Sequence, residues 1–203
     1  MLIWLEYFAG AVGAISGVLA ATGKRLDLFG ALVLALVTAV GGGTIRDLCL
    51  GIRPVFWVQN TGYVMVSLVA ALLTFVIARF WRIPYKALMV ADAFCLALFT
   101  IVGLEKALVY EAPAPIAVIL GIVTGVAGGV IRDVLRGEIP LVFQPEIYLY
   151  ATAAFAGAVV YVLLLQWVPG ASYARYIGMS VILGLRLAAI IWKIRLPIFE
   201  PRE

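Results

Sequence analysis

Histidine is absent from this chain of 203 residues, and charged side chains are scarce. Without histidine, the chain lacks the commonest general base and the commonest metal ligand. Only 13% of the residues are charged, about half the share found in soluble domains, whereas 65% are hydrophobic. So few polar side chains cannot cover a water-facing surface, and we therefore expect most of the chain to lie in lipid.

Evident catalytic groups are missing as well. No serine–lysine or paired-aspartate arrangement provides a nucleophile, so we do not expect an enzyme. Cys49 and Cys95 lie in apolar stretches without CxxC spacing and are predicted to be packing thiols, so we expect neither a cofactor nor a fixed transition-metal site. The net charge is +4, but the basic residues form no cluster with interleaved aromatics. This favours contact with membrane lipid over nucleic acid.

Long apolar runs are abundant. A transmembrane helix needs roughly 20 such residues. Seven stretches qualify, at approximately 4–22, 27–48, 61–80, 88–109, 113–134, 147–168 and 173–193. Because only short turns separate them, we predict a single all-α integral membrane domain, residues 1–203, with seven transmembrane helices.

Lysine and arginine are distributed unequally between the two ends of these spans. With seven crossings, the poorer side carries Arg53, Lys106 and Arg175, and the richer side carries Lys24, Arg25, Arg79, Arg82, Lys86, Arg136, Lys193, Arg195 and Arg202. Cytoplasmic loops are enriched in basic residues. We therefore predict a multi-pass protein of the cell membrane with its N-terminus outside and its C-terminus in the cytoplasm.

The chain repeats itself at an offset of 86 residues. VTAVGGGTIRD at 37–47 aligns with VTGVAGGVIRD at 123–133, and ten of the eighteen pairs between 37–54 and 123–140 are identical. We predict two three-helix repeats, 1–86 and 87–169, followed by a seventh helix and a cytoplasmic tail, 170–203. An odd number of spans per repeat inverts the second copy, so the second and fifth spans should run antiparallel about an in-plane pseudo-two-fold axis.

Glycines cluster at matched positions in these two spans, at Gly41, Gly42 and Gly43 and at Gly128 and Gly129. Adjacent glycines weaken a helix, and freed backbone survives in a membrane only inside protein or facing water. Two such breaks would place carbonyls, the groups that replace water around a monovalent cation, about a shared cavity. Nearby hydroxyls could contribute, namely those of Thr38, Thr44 and Thr124. Alternatively, the glycines only allow close helix packing.

An Arg-Asp dipeptide follows each glycine cluster, Arg46-Asp47 in the first repeat and Arg132-Asp133 in the second. Adjacent helical residues point about 100° apart, so we expect bonds between the repeats or to freed backbone rather than within a dipeptide. These charges either set the field at a pore mouth or gate, or form a structural ion-pair network.

Two further carboxylates, Glu6 and Asp92, occupy matching repeat positions. They are candidates for attracting cations to a vestibule, although a carboxylate near a helix N-terminus is also favourable without such a role. In the last span, Arg186 is expected to snorkel or to pair with a neighbouring carboxylate.

The duplicated glycine and Ile-Arg-Asp signature resembles that of prokaryotic members of the trimeric intracellular cation channel (TRIC) family, also described as a bacterial glycine transporter domain. The resemblance covers essentially the whole chain. It implies a homotrimer with one pore per subunit, lined by the second and fifth helices, and permeation of monovalent cations, chiefly potassium. Carried over by position, the kinks fall at Gly41 to Gly43 and at Gly128 and Gly129, with Ala127 standing where the first repeat has Gly41.

Two function classes remain open on these grounds. The leading hypothesis is a potassium-permeable channel gated by bending of the second and fifth helices. The rival is a secondary transporter of a small solute such as an amino acid, because inverted repeats with broken helices describe transporters equally well.

Overall fold

The computed structural model describes residues 3–24, 26–81, 83–144, 149–168 and 170–194, and every regular element within these ranges is helical. The long helices are α1 (Ile3–Ala21), α2 (Leu28–Cys49), α3 (Gly62–Phe80), α4 (Tyr85–Val109), α5 (Ala114–Leu135), α6 (Ala151–Trp167) and α7 (Ala174–Trp192). A short helix, Phe56–Gln59, precedes α3, and a 3-10 turn, Leu141–Phe143, lies between α5 and α6. The predicted all-helical class is confirmed.

Six of these helices, all except α6, are long and apolar enough to cross a membrane. α6 has 17 residues, so it rises about 25 Å, against a hydrocarbon core of roughly 30 Å. It lies within the predicted span 147–168, whose first two residues fall outside the described ranges. A seventh crossing therefore stays a prediction. Also outside the described ranges are most of the predicted tail and four of the cations behind the predicted orientation, Arg25, Arg82, Arg195 and Arg202.

The C-terminal ends of α2 and α5 are built alike. Each helix is followed by a glycine in the left-handed region, Gly51 with φ +70° and Gly137 with φ +69°. The next residue folds back in both cases: the Ile52 amide donates to the Asp47 carbonyl at 2.8 Å, and the Glu138 amide donates to the Asp133 carbonyl at 3.0 Å. These matched caps terminate the helices just after the two Arg-Asp dipeptides.

The helices pack through small residues. α1 packs along α2, α4 packs along α5, and α2 crosses α5. A Cβ on Gly17 of α1 would come within 2.5 Å of the Ala35 Cα on α2. α7 lies against both α6 and α4, and α4 is the most buried of the membrane-length helices. Close backbone approach of this kind stabilises helix association where lipid removes the hydrophobic driving force.

Candidate functional site

α2 and α5 cross at their glycine clusters through reciprocal contacts. A Cβ on Gly42 would lie 2.1 Å from the Thr124 carbonyl oxygen, and a Cβ on Gly128 would lie 2.4 Å from the Thr38 carbonyl oxygen. The residue order reverses between the two contacts, so the helices cross antiparallel. Gly42 and Gly128 therefore each meet the threonine that lies four residues before the other.

Both helices are α-helical from end to end across these glycines. This differs from the expected interruption, and the geometry explains the difference: the missing side chains admit the backbone of the crossing helix. The space beside Gly43 is taken by the Phe56 ring, which a Cβ there would meet at 2.7 Å. The glycines thus occupy the close-packing arrangement that the sequence left as the alternative.

The threonine hydroxyls near the crossing bond to their own helices. Thr38 donates to the Leu34 carbonyl and Thr124 to the Leu120 carbonyl, both at 2.6 Å. Thr44 donates to the Val40 carbonyl at 2.7 Å and accepts from the Trp57 indole at 2.9 Å. Each hydroxyl proton is thus used within its own helix, and each threonine oxygen can still accept a hydrogen bond.

One buried ion cluster, here called the first charge cluster, consists of Arg46, Asp47 and Lys106. The Arg46 Nε and Nη2 atoms donate to Asp47 Oδ1 at 2.9 and 2.7 Å, and Lys106 Nζ donates to Asp47 Oδ2 at 3.1 Å. The Phe56 amide also donates to Oδ2, at 2.9 Å. Asp47 thereby joins α2, α4 and the short helix before α3.

Glu6 lies beside this cluster, and within the described part of the chain no cation forms an ion pair with it. It is buried and accepts a bond of 2.5 Å from the Tyr63 hydroxyl. Glu6, Arg46 and Tyr63 line a cavity of about 20 Å³ together with Gly43 and Ser67. That volume is enough for about one water molecule.

The second charge cluster consists of Asp92, Arg132, Asp133 and Arg186, all fully or almost fully buried. Arg132 donates to both carboxylate oxygens of Asp133 at 2.8 and 3.0 Å, and its Nη1 reaches Asp92 Oδ1 at 3.1 Å. The same Nη1 donates to Ser16 Oγ of α1 at 2.6 Å. The Leu141 amide donates to Asp133 Oδ2 at 3.1 Å, as the Phe56 amide does to Asp47.

The sequence predicted that each Arg-Asp dipeptide bonds other groups and makes no bond within the dipeptide. The second part of this prediction is wrong. Both arginines bond the adjacent aspartate and also sit in wider networks. The 100° estimate concerns the Cβ directions, whereas an arginine side chain is long enough to bend its guanidinium back along the helix surface. Contact between the repeats is nevertheless present, through Lys106 with Asp47 and through Ser16 with Arg132.

The structure adds residues that the sequence left outside the site. The sequence places Lys106 only among the cations at the ends of the spans. An ionisable residue within an apolar run is nevertheless a signal for a buried partner. Tyr63 carried no such signal, because its role depends on how α3 packs against α1. Glu6 and Asp92 are both buried: Glu6 borders the water-sized cavity, and Asp92 pairs with Arg132.

An exposed ion pair lies at the other end of α1. Lys24, after α1, contacts Glu138, after α5, and each side chain is about 40% exposed. The Lys24 ammonium lowers the pKa of the Glu138 carboxyl below its ordinary value through a hydrogen bond and charge attraction. Because the pair is solvated, we expect it to contribute little to stability.

Bacterial membrane proteins are similar to this chain over its whole length. The family described as Glycine transporter matches it twice, over residues 3–79 and 89–166. The UPF0126 inner membrane protein YadS of Escherichia coli K12 is 48% identical over 206 residues, covering 100% of this chain and 98% of the relative. A UPF0126 membrane protein of Vibrio cholerae is 44% identical over 200 residues, covering 98% of this chain and 83% of the relative.

Solved structures with this fold include cation channels. The TRIC trimeric intracellular cation channel orthologue from Rhodobacter sphaeroides matches with a TM-score of 0.89 at 38% identity, covering 95% of this chain and 98% of that chain. A structure described as explaining conductance through TRIC cation channels matches with a TM-score of 0.87 at 34% identity, covering 100% of this chain and 99% of that one. The resemblance drawn from the duplicated motif is confirmed.

Proposed function

The chain belongs to the Glycine transporter family of membrane proteins, and within that family we propose that it is a potassium-permeable channel with one pore in each subunit. The observation that carries the proposal is its similarity in fold, over nearly its full length, to TRIC cation channels. The same similarity supports a homotrimer. The two repeats, 1–86 and 87–169, form the pore, and residues 170–203 provide the seventh helix and tail.

The proposed pathway follows the polar groups on either side of the α2–α5 crossing. The first charge cluster and Glu6 lie at one end of it, and the second charge cluster lies at the other. Gly41 to Gly43 and Gly128 and Gly129 form the constriction between them. Bending of α2 and α5 at these glycines would separate the helices and let water and cations pass between them in single file.

Charge distribution supports the proposed orientation. Lys24, Arg79, Lys86 and Arg136 lie at the helix ends assigned to the cytoplasm, and Lys106 and Arg175 lie at the opposite end. The first charge cluster then faces the outer side and the second faces the cytoplasm. A cation entering from outside would meet Glu6 first.

A secondary transporter of an amino acid is the alternative, and the family's description as Glycine transporter is what favours it. The cavity at Glu6 has a volume of about 20 Å³, which is room for a water-sized occupant but not for an amino acid in this conformation. A transporter would therefore have to rearrange before binding, whereas a channel needs only to widen.

Recording from purified protein in planar bilayers separates the two functions. We expect discrete potassium currents far above the turnover of a carrier. If the bilayers stay silent while proteoliposomes take up labelled glycine in a saturable manner, the channel proposal is wrong.

Glu6→Gln is expected to lower the single-channel potassium conductance by roughly threefold, because a buried carboxylate raises the local cation concentration. The side chain keeps its size and can still accept a bond from Tyr63. The matched control is Glu111→Gln, at an exposed carboxylate after α4. Equal conductance in both variants and the wild type would remove Glu6 from the pathway.

A further inference from the structure

α7 is the long helix without a counterpart in the repeat, and two of its arginines, Arg175 and Arg186, face carboxylates of α4. Near its start, Arg175 Nε lies 3.1 Å from Glu105 Oε1, which also accepts a bond of 3.1 Å from Tyr161. Eleven residues further along, Arg186 enters the second charge cluster. The two contacts are chemically alike, but only the second reaches a group of the proposed pathway.

Arg186 is fully buried and faces Asp92 of that cluster and the Tyr150 ring. Its Nη2 atom lies 4.0 Å from Asp92 Oδ2, and its guanidinium carbon lies 4.5 Å above the Tyr150 ring. The other Asp92 oxygen, Oδ1, bonds Arg132 at 3.1 Å. Asp92 therefore lies between two cations: Arg132 is hydrogen-bonded to one carboxylate oxygen, and Arg186 faces the other at a distance where the attraction is electrostatic.

The matching positions of the first repeat are arranged differently. Glu6 corresponds to Asp92 and Arg46 to Arg132, but Glu6 accepts its bond from Tyr63 and shares a water-sized cavity with Arg46. Asp92 and Arg132 form an ion pair, whereas a water-sized cavity lies beside the matching residues Glu6 and Arg46. α7 packs on α4, so Arg186 adds a cation to the second charge cluster that the first charge cluster does not receive from α7.

We infer that Arg186 is a positioning residue that holds Asp92 against Arg132 and keeps the second charge cluster closed. It makes the two ends of the pathway unequal, with the tighter gate at the end that α7 covers. This inference rests on the proposed channel function. Loss of Arg186 removes the positive charge that faces Asp92 Oδ2, and this change favours entry of a cation.

A native cysteine reports on this gate independently of current. Cys95 is buried and lies one helical turn from Asp92 on α4, whereas Cys49 is exposed. In a Cys49→Ala background, the rate at which a small, water-soluble methanethiosulfonate reagent modifies Cys95 measures how often water reaches the second charge cluster. The reference is the Cys49→Ala protein with no other substitution.

Arg186→Gln is expected to raise the open probability and the Cys95 modification rate, each by roughly threefold or more. Arg175→Gln is the matched control, because it breaks the ionic contact to α4 near the start of α7 and should leave both values unchanged. Arg186→Lys, which keeps the charge but not the planar fork, should give intermediate values. This variant also serves if Arg186→Gln does not fold.

Each other outcome has a distinct meaning. Equal effects of Arg186→Gln and Arg175→Gln would reduce Arg186 to a general attachment of α7, and no effect of either Arg186 variant would overturn the inference. Absence of current from the wild type would contradict the proposed function instead. The Cys95 rates would then still decide whether Arg186 closes the cluster.

Discussion

Gly42→Ala is expected to destabilise the folded protein by about 3 kcal/mol, the upper part of the range for overpacked cores. The added Cβ would lie 2.1 Å from the Thr124 carbonyl oxygen and 3.0 Å from its carbonyl carbon. These are backbone atoms of α5, so no side-chain rotation can relieve the overlap. The two helices would have to move apart, and the reciprocal contact at Gly128 would loosen with them. Thermal unfolding of the purified protein in detergent measures the effect.

Gly184→Ala is the control, because it makes the same change within a helix where, among the described residues, nothing outside the adjoining turns of that helix lies within 4 Å of the new Cβ. Alanine is favoured over glycine in a helix interior by up to about 1 kcal/mol, so this variant should be neutral or slightly more stable. If Gly42→Ala were as stable as Gly184→Ala, α2 and α5 would be able to accommodate an added methyl group where they cross. The glycines would then matter for bending rather than for close approach.

The glycine clusters show how far sequence reasoning reaches in this protein. Their matched positions predicted that α2 and α5 belong together, and the reciprocal contacts of Gly42 and Gly128 bring them together. Whether a glycine frees the backbone or admits a neighbour depends on what lies against it. Composition along a single helix does not contain that information, and the continuous helices here could not be predicted from it.

The buried charges show the same division. The duplicated dipeptides Arg46-Asp47 and Arg132-Asp133 identified part of each cluster, and an ion-pair network was one of the two roles that the sequence left open for them. The partners Lys106 and Ser16 lie 59 and 116 residues away in sequence. Contacts of that range depend on how the helices pack, and the offset of 86 residues gives no match for either partner.

Asp47→Asn is expected to lower stability by roughly 3–5 kcal/mol, because it leaves buried cations without their counter-charge. Asp47 has no exposed surface and accepts bonds from Arg46, Lys106 and the Phe56 amide. Asparagine preserves the shape and one acceptor, so the loss measures charge rather than volume. Fluorescence-detected thermal unfolding or chemical denaturation in detergent gives the difference from the wild type.

Two companion variants make this result specific to the first charge cluster. Asp27→Asn is the same chemical change at the exposed N-cap of α2, where Asp27 accepts from the Gly30 amide at 2.8 Å, and asparagine caps a helix equally well. It should leave stability unchanged. Adding Lys106→Met to Asp47→Asn removes one of the unpaired cations and should restore about half of the loss, since an apolar side chain of similar length avoids the desolvation cost. A double variant no more stable than Asp47→Asn would show that Asp47 acts through Arg46 and the Phe56 amide alone.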